Sequence, residues 1–445
     1  MTKINHSTLV ATSSLQQRSL DTVWHPCTQM KQHETCPLVP VVSGKGAWLH
    51  DADGNHYLDA ISSWWVNLFG HSNSYINAAI RDQLEKIEHV MLAGFTHEPV
   101  VTLSERLKNM APGSLGHCFY ASDGASAIEI ALKMSFHYWL LRGQPQKSQF
   151  ISLQNDYHGE TLGALSVTDV AIFKQMYAPL LRQCAHVPTP DWRYAEPGES
   201  AQDYAIRIAA VLEQHVAENH EQIAALILEP LVQGATGMGM YHPIYLQRAR
   251  EICNQYQIHL IADEIAVGFG RTGTLFACNQ ADITPDFLCL SKGLSGGYLP
   301  LSVVMATDTV FQAFYDDKIA RAFLHSHSHT GNALACRAAL ATLDIFEQDQ
   351  VIDTNKIKAA YLNKIAAPIT AHSKVTNFRN CGMIWAFEVE TKDADFAATC
   401  FQAGLKQQLL LRPLGTTIYF MPPYIINEQE MDLLVNGTLQ ILDSL

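Results

Sequence analysis

Two stretches decide the fold: IHLIADEIAVGFGRTG at residues 258–273 and DFLCLSKGLSGG at residues 286–297. Each begins with a nearly unbroken apolar run of strand length, the pattern of a strand buried on both faces of a parallel sheet. The first run ends in Asp263 and Glu264, the second in Lys292. A carboxylate and an amine thus stand at the carboxyl ends of two strands, where open α/β sheets bind their ligands.

One cofactor needs that pair. Pyridoxal 5'-phosphate requires a lysine to hold its aldehyde as a Schiff base and a carboxylate to keep its ring nitrogen protonated, so that the ring draws electrons. Lys292 is the expected amine and Asp263 the expected ring partner. Taken singly, such residues would read as a solvated strand end and a helix cap. Their setting favours the paired reading: Gly268, Gly270, Gly273 and Arg271, with SKG followed by SGG, resemble the signature of class III (ω-amino acid) aminotransferases of fold type I. The resemblance implies an α/β fold with a mostly parallel central sheet in a large domain and a smaller α+β domain. It also implies pyridoxal 5'-phosphate as cofactor, small-molecule substrates, and a homodimer with active sites at the subunit interface.

Composition sets outer limits. The chain has 445 residues, enough for a large core and two unequal domains, with 48% hydrophobic and 16% charged residues and a formal charge of −13. No basic cluster suits nucleic acid or an anionic membrane. The 10 cysteines show neither CxxC nor zinc-like spacing and read as small core residues in a reducing compartment. The segment MTKINHSTLVATSSLQQRSL lacks a long apolar run, and no 18-residue apolar window occurs anywhere. A cytoplasmic protein without a membrane span is expected.

Along the chain, VPVVSGKGAWLHDADGNHYLDAISS at 39–63 alternates apolar and polar residues around a DADGN turn and reads as an antiparallel meander. Strand and helix patterns then alternate as far as LPLSVVMAT. Beyond Asn332 a long helical pattern, ALACRAALATLDIFEQ, leads to strand readings NCGMIWAFEVE and TTIYFMPPYII. The expected division is an N-terminal segment 1–65 contributing to the small domain, a large cofactor domain 66–331 and a C-terminal small domain 332–445.

A strand ending at Ala121, then SDG, then a helix beginning near Ala125 would offer backbone N–H groups and the positive helix end to an anion. Gly124 and Ala125 are the expected phosphate cradle, Ala125 standing where relatives often carry Ser or Thr. Tyr157 and His158 in NDYHGET resemble the place of the aromatic that stacks on one face of the cofactor ring, Tyr157 also being expected in catalysis, and Ile265 closes the other face. In HSHSHTGNALAC, His327 and Ser328 match the loop that reaches the neighbouring subunit's cofactor phosphate. Histidines 325, 327 and 329 would share one face if that stretch were a strand, but no metal is expected, because the following Gly-Asn fits the family's loop.

Substrate choice rests on other residues. WHP at 24–26, ISSWWVNLFGH, EPLVQGATGMGMYHP and LLRPLGTTIYFMPPYII together resemble the branch of this family that aminates 8-amino-7-oxononanoate to 7,8-diaminononanoate in biotin biosynthesis. A nine-carbon keto acid needs an apolar channel with a cation at its far end, which tryptophans and a distant arginine supply. The resemblance assigns Arg412 to the substrate carboxylate, Trp64, Trp65, Tyr157 and Tyr419 to the pocket beside Lys292, and Ser326 to a contribution from the partner subunit. Cys27 stands where members typically carry Tyr, leaving room for another group, and Glu160 where Asp is common. S-adenosylmethionine is the expected amino donor. The alternatives are lysine as donor, or a different ω-aminotransferase acting on a diamine, ornithine, 4-aminobutyrate or a β-amino acid. A non-catalytic regulatory homologue is disfavoured by the presence of both Lys292 and Asp263.

Overall fold

The computed structural model describes residues 14–444; the leader reading at residues 1–13 falls outside them. The meander forms as β1 (Val41–Lys45), β2 (Trp48–Asp51) and β3 (His56–Asp59), turning at 52–55 where the Asp51 carboxylate accepts the N–H groups of Asp53 and Asn55. The alternating region then supplies β4 (Leu115–Ala121), β5 (Gln149–Leu153), β6 (Ala185–Val187), β7 (Ile223–Leu228), a small hairpin of β8 (Val232–Gln233) and β9 (Gly239–Met240), β10 (His259–Asp263), β11 (Phe287–Leu290) and β12 (Ser302–Thr307). Last come β13 (Val375–Cys381), β14 (Ile384–Val389), β15 (Leu409–Leu410) and β16 (Thr417–Phe420).

Seven of these strands make the central sheet, in the order β4-β12-β11-β10-β7-β5-β6. Only β12 runs against the rest, so the expected mostly parallel sheet is present with one reversed strand. Every residue of β7, β10 and β11 is buried, which is why their sequences are apolar without alternation. Helices such as Gly124–Leu141, Ala201–Asn219 and Ile244–Gln255 cover the sheet and carry the apolar faces that their periodicity indicates.

The N-terminal meander does not stand alone. β15 adds to β3 in parallel, pairing Leu410 with Asp59, so residues 351 positions apart in sequence share one sheet. The sequence reading of NCGMIWAFEVE as one strand is corrected: β13 and β14 form an antiparallel hairpin that turns at Gly382 and Met383. Gly382 has φ +58, and a Cβ there would lie 2.3 Å from the Gly273 nitrogen, so the glycine admits the 271–273 loop. Met383 N–H donates to the Arg271 carbonyl across this contact.

Arg271 is the staple between these parts. Its guanidinium is buried, donates to the carbonyls of Met421, Pro422 and Asn67, and lies 4.8 Å from the Tyr424 ring. Among the described residues no helix is long and apolar enough to cross a membrane. Replacing Arg271 with Met would leave buried carbonyls without donors, each costing about 1–3 kcal/mol. Arg271→Met should therefore lower the thermal midpoint by several degrees, and an unchanged midpoint in a thermal scan would contradict the staple.

Candidate active site

The sheet register creates the site. β10 lies between β7 and β11, and Asp263 pairs with Cys289, three residues before Lys292. Asp263 and Lys292 accordingly emerge from adjacent strand ends into one cavity of about 650 Å³. Its lining also includes Gly124, Ala125, Tyr157, Ile265 and Trp65. Lys292 adopts φ +43 at the start of a short 3-10 turn, and its ammonium lies 5.1 Å from the Trp65 ring centre. Burial pushes the Lys292 amine below its ordinary range, while Asp263 and Glu229 pull in the opposite direction.

Asp263 is buried, with one oxygen accepting the Ile265 N–H at 3.1 Å and the other the His158 Nδ1–H at 2.7 Å. Behind His158 stands Asp156, its carboxylate 3.6 Å from Nε2, too long for a hydrogen bond but close enough for charge attraction. Asp156 in turn accepts from Gln233, whose own carbonyl accepts from Thr189. Burial alone would lower the His158 pKa, but the two carboxylates outweigh it and hold the imidazolium protonated to about 10. Burial raises the Asp156 carboxyl, opposed by His158 and Gln233. A buried imidazolium is thus set directly against the Asp263 carboxylate.

The helix Gly124–Leu141 begins at the cavity, with Asp123 as its cap accepting the Ser126 N–H. A Cβ on Gly124 would come within 2.9 Å of Ile265, so the glycine lets the helix start and the Ile265 side chain share the space. Tyr157 is fixed at both ends: its N–H donates to Glu229 and its hydroxyl to Glu160. Glu229, fully enclosed, also accepts the Gly234 N–H, and burial raises its pKa.

A second cavity of about 1440 Å³ adjoins the first, sharing Trp65, Val66, Tyr157, Glu160 and Lys292, and adding Cys27, Trp64 and Arg412. The Arg412 guanidinium lies 4.6 Å from the Trp64 ring centre. Trp64 and Trp65 belong to a run of four left-handed residues, Ser62 to Trp65, a conformation costing about 1 kcal/mol for each non-glycine residue. Burial raises the Cys27 thiol pKa, with Glu160 adding to the rise and Arg412 opposing it.

Tyr419 is a correction. It is buried behind the wall, where its hydroxyl accepts the Trp65 indole N–H at 3.1 Å. The histidines of 325–329 are also corrected: no strand forms there, and they diverge, His325 to Lys133, His327 to Ser122 and His329 to His89. Ser326 and Ser328 are exposed and line neither cavity of their own chain. Among the described residues no cluster of three or more His, Cys, Asp or Glu is arranged to hold a metal. Sequence reading missed Asp156, Glu229 and Gln233, whose only signals were their places in NDYHGET and EPLVQG.

The family model for class-III aminotransferases matches residues 29–442. The chain belongs to this family. It is 46% identical over 441 residues to the adenosylmethionine-8-amino-7-oxononanoate aminotransferase of Helicobacter pylori, covering 97% of this chain and 98% of the relative. The enzyme of that name from Geobacter sulfurreducens is 38% identical, with 93% and 94% covered. Among solved structures, the corresponding Methanocaldococcus jannaschii enzyme superposes with a TM-score of 0.91 at 33% identity, covering 97% and 98%. An omega transaminase from Pseudomonas jessenii, in complex with PMP, superposes with 0.93 at 30% identity and the same coverage.

Aminotransferases of this class depend on pyridoxal 5'-phosphate, and the donor set here suits it: an amine, a buried carboxylate bonded to His158, a helix start cleared by a glycine, and an aromatic beside an aliphatic wall, all on one cavity. Lys292 and Asp263 would hold the aldehyde and ring-nitrogen ends, Gly124 and Ala125 the phosphate, and Tyr157 and Ile265 the ring faces. When bound, the cofactor supplies an electron-withdrawing ring through which an amino group passes between carbon skeletons.

Lys292→Ala should abolish turnover and allow the cofactor to be dialysed away, read by visible absorbance of the dialysed protein. Near wild-type turnover would exclude Lys292 from the chemistry. Asp263→Asn should slow both half-reactions by several kcal/mol of barrier, measured by rapid-mixing absorbance. The His158 pairing also predicts a pH effect. Its folded pKa lies far above the ordinary value of about 6.5, so the stability it contributes is full below that pH and declines as pH rises through about 10. The stability gap between the wild type and His158→Asn in urea unfolding should close over that window.

Proposed function

We propose that the protein transfers an amino group to 8-amino-7-oxononanoate, giving 7,8-diaminononanoate, with S-adenosylmethionine as amino donor. The observation that carries the reading is the distribution of charge in the larger cavity. Among the described residues its cationic side chains are Lys292, at the chemical end, and Arg412, while Glu160 is the one acidic residue on the wall. The same lining includes Trp64, Leu162, Leu165, Val170, Ile172 and Phe173. A long acceptor with a terminal carboxylate, an aliphatic middle and an ammonium beside its ketone complements this lining: carboxylate on Arg412, chain along the apolar wall, ammonium toward Glu160. The names of the Helicobacter and Methanocaldococcus relatives support the same acceptor.

In each half-reaction the Lys292 amine carries a proton to and from the reacting carbon, a task suited to an amine whose basicity burial has reduced. Asp263, held in place by His158, is the group that would face the ring nitrogen. We further infer a cytoplasmic homodimer in which Ser326, His327 and Ser328 serve the neighbouring subunit's site. The exposure of both serines, which line neither cavity of their own chain, supports that arrangement.

A screen of amino donors against 8-amino-7-oxononanoate, followed by product mass, tests the reaction; exchange with diamines or 4-aminobutyrate alone would replace the reading with that of a general ω-aminotransferase. Arg412→Ala should weaken the acceptor by on the order of 2 to 5 kcal/mol, as for one partner of a desolvated charge pair. The donor half-reaction should change much less in single-turnover absorbance, and equal losses in both halves would mean that Arg412 serves both substrates.

A further inference from the structure

We propose that Asp59 is a positioning residue for acceptor recognition: its carboxylate holds the left-handed turn Ser62–Trp65 in the arrangement that lays Trp64 on Arg412 and Trp65 over Lys292. The inference rests on the reading of Trp64 and Arg412 as the acceptor end of the cavity.

The turn is unusual for its composition. Ser62, Ser63, Trp64 and Trp65 have φ values of +53, +46, +72 and +73, and none is glycine. A run of this kind persists only where its surroundings over-determine it. Asp59 supplies most of that determination. Its Oδ1 accepts the Ser63 N–H at 2.8 Å and its Oδ2 the Ser63 hydroxyl at 2.7 Å, so both ends of the carboxylate close on the second residue of the turn. His71 Nε2 lies 3.0 Å from Oδ2, and Asn67 donates to the opposite ring nitrogen, leaving Nε2 as the protonated donor to Asp59. Ser62 closes the turn from the other side, donating to the Met421 carbonyl at 2.7 Å.

The same aspartate also sets the distance to Arg412. It pairs with Leu410 in the β3–β15 register, and Arg412 follows two residues later. One strand pair therefore seats the arginine and the residue that aims the indole at it. Asp59 is itself fully buried and lines neither cavity, so it acts through the tryptophans and does not touch substrate.

The test compares holoenzyme variants Asp59→Ala, Asp59→Asn and Asp59→Ala with Ser63→Gly. Glycine adopts the left-handed conformation at no steric cost, so it should replace the carboxylate's conformational role without its charge. Asp59→Ala should alter the near-ultraviolet circular dichroism of the indoles in ligand-free enzyme and raise the acceptor KM roughly tenfold, equivalent to about 1.4 kcal/mol, with a smaller effect on kcat. Asp59→Asn should fall between, because its amide oxygen still accepts from Ser63. Adding Ser63→Gly should recover most of the KM and the dichroism. Failure of the glycine to rescue would overturn the proposal, showing that charge and not turn geometry matters. An unchanged dichroism in Asp59→Ala, or changed dichroism without a change of acceptor KM, would overturn it as well. Should Asp59→Ala fail to fold, Asp59→Asn with and without Ser63→Gly decides the same question. The dichroism is read without substrate, so a failure of the acceptor reading, detected by Arg412→Ala, stays distinct from a failure of the turn.

Discussion

The parallel pairing of β10 with β11 is the constraint on which the site depends. Because Asp263 sits opposite Cys289, the end of one strand and the turn after the next deliver a carboxylate and an amine to a common cavity. A slip of one residue would send the side chains of β10 to the other face of the sheet. Complete burial of β7, β10 and β11 makes such a slip costly, since it would repack apolar side chains on both faces. Chemical placement is thus enforced by the hydrophobic core, far more strongly than any polar contact at the site could enforce it.

Having fixed the Asp263 carboxylate in a buried place, the fold must partner it. An isolated buried carboxylate would take up a proton. Here the chain from Asp263 through His158, Asp156 and Gln233 to Thr189 places a cation between two anions and caps the outer anion with an amide. Removing His158 strands buried carboxylates on both sides of it, which is the costly way to lose an ion pair.

How much of this was readable in the sequence follows from the range of the forces involved. Continuous apolar strands announce themselves locally, and so the central sheet, Asp263 and Lys292 were legible, as was the helix start at Gly124. Long-range pairings were not. Nothing near Leu409 and Leu410 indicates that they complete the N-terminal meander, and NCGMIWAFEVE reads as one strand unless the approach of the 271–273 loop to Gly382 is known. Tyr419 has the alternation of a wall residue, yet Trp65 stands in front of it. Asp156 and Gln233 are ordinary loop residues until two segments meet, and four left-handed residues spelled Ser-Ser-Trp-Trp contradict local preference, which only tertiary contacts overrule.

The two cavities share the walls that matter: Trp65, Val66, Tyr157, Glu160 and Lys292 line both. Two amino compounds therefore cannot approach the single amine side by side. Each must vacate the common vestibule before the other enters, so the two substrates are rivals for the same room as well as partners in the same exchange.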